Sequence, residues 1–152
     1  MSAHSANPAI QDSLRALVQT GSVRAGGAED AIDGVIPECI VEPGDEAELA
    51  RVLAHANSAG LQVAPTGAGT KSGWGSPPGK IDIALSTANL NRVLEHAHQD
   101  LTVTVEAGVR FADLQRTLAQ HGQRLALDPL WPERATIAGI ISSNDSGSLR
   151  LR

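Results

Sequence analysis

Four stretches of the chain place apolar residues three or four positions apart, which is the spacing of an amphipathic helix. They run from Pro8 to Thr20, from Asp45 to Gly60, from Val109 to His121 and from Ala135 to Ser143. Asp45 and Glu48 have the spacing of a capping box, which marks where the second helix begins. The pattern therefore predicts four helices, of which the last is short.

Shorter apolar runs bounded by glycine or polar residues predict strands between these helices. The runs are Val35–Val41, Leu61–Pro65, Ile81–Leu85, a hairpin of 93–98 with 101–106, and 125–127. The first two flank the second helix, so strand, helix and strand form a βαβ unit, which implies a parallel pair. Residues 21–34 are small, polar and rich in glycine, and we expect a loop there, in part disordered.

Composition narrows the class of protein. With 152 residues the chain has the size of one domain, and its 12 basic and 17 acidic residues give a net charge of -5. The absence of a basic cluster and an aromatic content of 2% argue against a nucleic-acid partner. No run of 18 apolar residues and no signal peptide are visible, so we expect no membrane insertion and a cytoplasmic location. The single Cys39 lies in an apolar run and is interpreted as a packing residue.

The richest stretch chemically is the glycine loop that follows the strand ending at Pro65. Five glycines between residues 67 and 79 permit a backbone whose N–H groups converge, and converging N–H groups bind anions such as phosphate. Lys71 and Lys80, the only lysines of the chain, lie in or beside this loop and would add positive charge there. An ordinary flexible loop between two strands is the alternative interpretation.

This loop fits neither of the common nucleotide motifs. A Walker loop requires a lysine directly after a glycine, whereas Lys71 follows Thr70. A dinucleotide fingerprint opens a helix, whereas the run Gly75-Ser-Pro77-Pro78-Gly79 prevents one. A strand, a wide glycine loop and another strand remain.

Three segments together resemble one family of flavoproteins. Residues 65–71 resemble the diphosphate loop Pro-Arg-Gly-Gly-Gly-Thr-Gly of the FAD-linked oxidases of the vanillyl-alcohol oxidase and p-cresol methylhydroxylase (PCMH) type. Leu127-Asp128-Pro129 with residues 135–147 resembles the segment Ala-Thr-Ile-Gly-Gly, which passes beside the flavin ring in that family. Residues 101–108 resemble the element between them. Within the family, the likeness is strongest to the FAD-binding subunit of bacterial glycolate oxidase.

The resemblance implies a set of cofactor-binding residues. These are Thr66, Gly67, Ala68, Gly69, Thr70, Lys71, Gly75, Pro129, Thr136, Gly139, Asn144 and Gly147. The N–H groups of 67–71 with Gly75 would hold the diphosphate, and residues 136–147 would line the ring. The short helix at 135–143 would offer N–H groups at its N-terminal end, although a buried apolar helix fits the same pattern.

Departures from the family pattern refine these expectations. Thr66 stands where arginine is common, and Ala68 and Ala138 each replace a glycine. Thr70 occupies the position at which some members tether flavin through histidine, so FAD bound here should be non-covalent.

No residue is assigned to catalysis or to a metal. His121 and Asp145 are available as a base but lack a supporting pattern. His96 and His98 share one strand face, for which a solvated surface is the preferred interpretation over a metal site.

The resulting prediction is an α+β fold, the PCMH-type FAD-binding domain, with its N-terminal βαβ subdomain and the start of a second subdomain, truncated relative to the family. Residues 1–34 would form an N-terminal helix and flexible loop, and 35–152 a partial FAD-binding domain. The expected function is the FAD-binding portion of a 2-hydroxy-acid oxidase or dehydrogenase such as glycolate oxidase. A non-catalytic nucleotide-binding or assembly module is the alternative, and a partial domain would associate with itself or with other glycolate oxidase subunits.

Overall fold

The computed structural model describes residues 8–148 and contains helices and strands in mixed order. The helices are α1 (Pro8–Arg15), α2 (Glu46–Ala59), α3 (Phe111–Ala119) and α4 (Ile137–Ser143). The strands are β1 (Ser22–Ala25), β2 (Cys39–Glu42), β3 (Val63–Thr66), β4 (Ile83–Ser86), β5 (Val93–Ala97) and β6 (Thr102–Val105). All four predicted helices are present, each with one or both ends shorter than the sequence pattern indicated.

A four-stranded sheet is built in the order β1-β2-β4-β3. The strands β2, β4 and β3 are parallel, and β1 joins the edge of β2 in antiparallel orientation. The predicted βαβ unit is thus present, but β2 and β3 are not neighbours because β4 lies between them. The central position of β4 explains why all four of its residues are buried.

The sequence pattern predicted a loop at 21–34, but part of this segment is regular structure. The loop prediction is wrong for Ser22–Ala25. These residues form β1, and Ala28–Asp30 form one turn of 3-10 helix. The two terminal guanidinium nitrogens of Arg24, Nη1 and Nη2, donate to the Asp30 carboxylate at 2.6 Å each, which fixes the turn to the strand. The predicted boundary between an N-terminal segment, residues 1–34, and the FAD-binding domain, residues 35–152, stays a prediction.

Two compact units divide the described chain. The first comprises the residues up to Thr66 together with Ser72–Asn89, and the second comprises Gly67–Lys71 together with the residues from Leu90 onward. The first unit has a core of apolar side chains from α1, α2 and the sheet, namely Leu14, Val18, Cys39, Val41, Val52, Ala56, Ile83 and Leu85.

The side chain of Glu48 organises one end of this first unit. Asp45 caps α2 by accepting from the Glu48 N–H at 2.7 Å, which is one of the two bonds of the predicted capping box; the Glu48 carboxylate binds the Gly44 N–H and not that of Asp45. The Glu48 carboxylate in turn accepts from the N–H groups of Gln19, Thr20 and Gly44 and from the Thr20 hydroxyl, at 2.8–3.0 Å. Burial raises the pKa of Glu48, but these donors outweigh it and hold the pKa at about 2.

The second unit contains the hairpin of β5 and β6, followed by α3 and α4. Its core consists of Val109, Phe111, Leu114, Leu118, Ala135, Ile137 and Ile140. The predicted strand at 125–127 is wrong, since these residues are irregular. The Gln115 side chain takes the place of a strand partner there, because its amide accepts from the Leu125 N–H at 2.8 Å and donates to the Leu125 carbonyl at 3.3 Å.

Candidate functional site

The glycine loop leaves β3 and continues without a helix until β4, as the sequence predicts. Gly69 adopts a left-handed backbone with φ of 67° and is exposed. A side chain with a Cβ is strained in this conformation, so glycine is the residue that permits the turn. The first half of the loop, Gly67–Lys71, belongs to the second unit.

Gly67 lies directly against Thr136, the residue that begins the segment resembling Ala-Thr-Ile-Gly-Gly. A Cβ built at Gly67 would overlap the Thr136 hydroxyl and contact its remaining side-chain atoms. Only glycine allows this close approach without a shift of either segment. Two motifs that are far apart in the sequence therefore meet in the structure.

The N-terminal end of α4 is occupied by protein groups. The Ile137 N–H donates to the Val109 carbonyl at 2.8 Å, and the Ala138 N–H donates to the Ala107 carbonyl at 3.2 Å. The Thr136 hydroxyl accepts from the Gly139 N–H at 3.3 Å and so caps the helix. The expectation that this helix end offers its N–H groups to a ligand is therefore wrong, because the chain itself satisfies them.

Both lysines expected to supply positive charge are paired with carboxylates. Lys71 Nζ lies 2.8 Å from Asp145 Oδ2, and these side chains are only 8% and 1% exposed. Lys80 Nζ lies 2.5 Å from Asp82 Oδ1, and this hydrogen bond raises the pKa of Lys80. Each ammonium charge is thus neutralised in place, which the sequence did not indicate.

Asp145 also binds the connector between α3 and α4, which comprises residues 120–136. Its Oδ2 atom accepts from the Leu130 N–H at 3.1 Å. Close by, the Gly147 N–H donates to the Asp128 carbonyl at 2.5 Å, and a Cβ at Gly147 would overlap Asp128. The glycine loop, the connector and the segment after α4 are held together through Asp145, and we call this arrangement the three-segment junction.

A cavity of about 600 Å³ opens beside this junction, within the second unit. Apolar side chains of the connector and of α4 line part of it, and Asp128, Asn144 and Asp145 line another part. Among the described residues, Asp145 Oδ1 is a buried atom with no hydrogen-bond partner. An amphipathic cavity of this size with a few polar groups is typical of small-molecule sites.

Comparison with known proteins decides the family. The FAD binding domain family matches residues 37–152. The chain belongs to this family. A related protein is glycolate oxidase subunit GlcD of Bacillus subtilis, which is 30% identical over 115 residues, covering 76% of this chain and 24% of the relative. The mitochondrial cytochrome D-lactate dehydrogenase of Arabidopsis thaliana is 28% identical over 117 residues, covering 77% of this chain and 20% of the relative.

Solved structures of other proteins share the fold of this chain. Alkyldihydroxyacetonephosphate synthase superposes with a TM-score of 0.77 at 20% identity, covering 94% of this chain and 33% of the other. The BBE-like 1 protein of Physcomitrella patens superposes with a TM-score of 0.68 at 17% identity, covering 86% and 30%. The predicted PCMH-type fold is confirmed. The chain spans about a quarter or less of the length of the curated relatives cited here.

Most of the predicted cofactor residues lie in the second unit. Thr136 is buried as the cap of α4, and Asn144 ends α4 in a left-handed conformation and lines the cavity. Thr66 and Gly75 belong to the first unit, and their contact with cofactor stays a prediction. Gly67 and Gly147 are required for close packing, while the roles of Ala68, Thr70, Pro129 and Gly139 toward FAD stay predictions.

Residues that fit an FAD group are nevertheless present in the structure. The Gly69 turn lies in the second unit, three residues after the end of β3. In the first unit, a Cβ built at Gly73 or Gly75 would meet no atom within 4 Å, so there is open space beside these two glycines. The set of cofactor-binding residues implied by the resemblance left out Asp128 and Asp145, which line the cavity. Both carboxylates stand in the second motif, in its two separate segments, and only the fold brings these segments together.

His96 and His98 of the hairpin form a ring cluster with His121, which follows α3. The His98 and His121 rings stack at 4.2 Å, and His96 Nε2 lies 2.8 Å from the Gln123 amide oxygen. Over residues 8–148, no group of three metal-ligating side chains has the arrangement that would hold an ion. His121 is exposed and Asp145 is engaged by Lys71, and neither is assigned as a base.

A further feature is the low reactivity of the Cys39 thiol. Cys39 is buried in the first core, and burial, with a smaller effect from Glu38 and Asp82, raises the pKa of its thiol to about 11. The thiol therefore stays protonated near neutral pH, in keeping with a packing role.

Of the helices between residues 8 and 148, none has the length and apolar character needed to cross a membrane.

Proposed function

We propose that the chain binds FAD non-covalently and that the glycine loop from Gly67 to Gly75 holds the diphosphate. The observation that supports this proposal is the contact of Gly67 with Thr136, which brings loop residues 67–71 against the segment that resembles the second flavin motif, within the second unit. Family membership supports FAD as the ligand. Backbone N–H groups of residues 67–71 are the proposed diphosphate donors, since a glycine-rich turn aims such groups at one anion.

Segments around the cavity are the proposed neighbours of the flavin ring. Its lining combines Leu127, Ile140 and Ile141 with polar groups of Asn144 and Asp145, which suits a flat ring with one polar edge. Thr70 cannot form the histidine linkage seen in some flavoproteins, which supports dissociable binding.

The proposed reaction is oxidation of a 2-hydroxy acid by the complete protein to which this domain contributes. Relatives are named for glycolate, D-lactate and D-2-hydroxyglutarate, which share a hydroxyl group beside a carboxylate. Bound FAD would accept the hydrogen and electrons that leave the alcohol carbon. The residues of this chain would bind and orient the cofactor, and none of them is proposed as the base.

A titration of the purified chain with FAD and, separately, with ADP tests the binding proposal. Saturable quenching of fluorescence from Trp74 or Trp131 by both ligands is expected, because ADP carries the diphosphate without the flavin. Acid denaturation should then release all of the flavin into the supernatant, which tests non-covalent attachment. A chain that responds to neither ligand would contradict the proposal, and flavin that stays with the precipitate would contradict the non-covalent part.

The proposed substrate class and partners need separate measurements. Anaerobic mixing of the FAD-loaded complete protein with glycolate or D-lactate should bleach the oxidised flavin spectrum, whereas a primary alcohol without a carboxylate should not. Association with a second copy or with oxidase subunits stays a prediction, as does the cytoplasmic location. Sedimentation velocity of the purified chain tests self-association, and a monomer at all concentrations would contradict it.

A further inference from the structure

The Lys71–Asp145 ion pair connects the glycine loop to the segment after α4, and both residues belong to the second unit. Their charged atoms are 2.8 Å apart and both side chains are almost fully buried. Asp145 Oδ2 also accepts from the Leu130 N–H, and Lys71 Nζ lies 3.1 Å from the Thr70 hydroxyl. The pair is therefore built into the three-segment junction and is not a chance contact on the surface.

Burial of this pair limits what Lys71 does for a bound anion. A lysine that binds phosphate presents its ammonium group to the ligand, as a point charge on a flexible stem. Here the Lys71 side chain is 8% exposed, and a carboxylate already lies against its charge. Moving the ammonium to a diphosphate would leave the Asp145 carboxylate buried without a counter-charge, which is strongly unfavourable.

We propose that Lys71 and Asp145 are a positioning pair, whose ion pair holds loop residues 67–71 in the geometry that binds the FAD diphosphate, while neither charged group contacts that diphosphate. The diphosphate is then recognised by neutral backbone groups of the loop, and the net charge contributed by the pair is zero. This inference rests on the proposed function, namely that the loop is the diphosphate site. It assigns Asp145 a role that the flavin motif alone does not give it.

The two possible roles of Lys71 predict opposite effects of changing Asp145. If Lys71 bound the diphosphate directly, Asp145→Asn would release its ammonium from a competing carboxylate and would strengthen binding of FAD and ADP. In a positioning pair, Asp145→Asn leaves a buried ammonium without its partner, displaces the loop and weakens binding. The sign of the change in affinity therefore separates the two roles.

The experiment compares Lys71→Met, Asp145→Asn and the charge exchange Lys71→Asp/Asp145→Lys with the wild-type chain. The dissociation constants for FAD and ADP are measured by equilibrium dialysis at low and high salt, and circular dichroism confirms that each variant is folded. Arg116→Met is the matched control, because Arg116 forms an exposed ion pair with Asp113 in the same unit. This control should leave both dissociation constants unchanged.

We expect each single variant to raise both dissociation constants by about tenfold or more, the scale of a hydrogen bond to a charged group. The charge exchange should recover most of this loss, although it places a carboxylate on the loop. The salt dependence of binding should be the same for Lys71→Met as for wild type, because screening weakens only exposed charge interactions. Together these results would establish the positioning role.

Other outcomes would overturn the proposal. Tighter binding by Asp145→Asn, or a salt dependence that disappears in Lys71→Met, would show that Lys71 contacts the diphosphate. Unchanged affinity in both single variants would refute the pair while leaving the proposed function intact. If the charge exchange does not fold, Lys71→Met/Asp145→Leu takes its place and must bind more tightly than either single variant. A wild-type chain that binds neither FAD nor ADP would refute the proposed function itself.

Discussion

Gly67 and Thr136 approach so closely that a methyl group on Gly67 would overlap the threonine hydroxyl. The backbone of Gly67 is not in the left-handed region, so alanine is conformationally permitted there. The requirement for glycine comes from the neighbour and not from the local backbone. This contact fixes the glycine loop to the cap of α4.

Gly67→Ala should therefore destabilise the chain by about 1–3 kcal/mol, which is the usual cost of overpacking. Thr136→Ala alone should cost about 1 kcal/mol, because it removes the cap that accepts from Gly139. Combining the two should cost less than their sum, since the second change makes room for the first. Urea denaturation of the wild type, the two single variants and the double variant measures this coupling. Strictly additive changes in the free energy of unfolding would contradict the contact.

Lys71→Met should be among the most destabilising conservative changes in the second unit. Removal of one partner from a buried ion pair leaves an uncompensated charge and costs about 3–5 kcal/mol. Replacing both partners, as in Lys71→Met/Asp145→Leu, should restore much of the loss. Chemical denaturation checks this, with Arg15→Met as control because the Arg15–Asp12 pair is exposed. A Lys71→Met chain as stable as the control would show that the pair contributes little.

The sequence pattern predicted the elements whose signal is local. The helix periods, the cap that Asp45 forms on α2, and the glycine run that prevents a helix after β3 all depend on residues close together in the chain. The hairpin of β5 and β6 was predicted for the same reason. These features locate the candidate loop between two strands.

Features that depend on distant residues were not predictable in this way. The strand β1 has Val23 as its single large apolar residue and joins an edge, so backbone pairing to β2 defines it. The insertion of β4 between β2 and β3 is a property of sheet order, which no local pattern records. The partner of Lys71 is likewise set by tertiary structure, because Lys71 follows β3 whereas Asp145 follows α4, in a different motif.

Glu48 should make the stability of the chain depend on pH in the acidic range. Its pKa is about 2 in the folded protein against an ordinary value of 4.5. The stabilisation is therefore complete above pH 4.5 and is lost as the pH falls toward 2, because the unfolded chain takes up the proton first. The total is roughly 3 kcal/mol, since one pKa unit corresponds to about 1.4 kcal/mol.

Urea denaturation of wild type and Glu48→Gln between pH 7 and pH 2.5 measures this contribution. The difference in free energy of unfolding between the two proteins should be largest at neutral pH and should shrink as the pH falls below 4.5. Other carboxylates titrate in both proteins, so the difference isolates Glu48. A difference that is independent of pH would contradict the assignment.

The most direct test of the central claim compares FAD binding by Gly69→Ala and Gly122→Ala. Both glycines have φ of 67°, so alanine introduces similar backbone strain at each, but only Gly69 lies in the proposed diphosphate loop. A Cβ at Gly122 meets no atom within 4 Å, which makes this variant a control for strain alone. Equilibrium dialysis should show FAD affinity lowered by about tenfold or more in Gly69→Ala, the scale of one lost charge-assisted hydrogen bond. Gly122→Ala should bind FAD as the wild type does, and equal affinities in the two variants would contradict the claim that this loop holds the diphosphate.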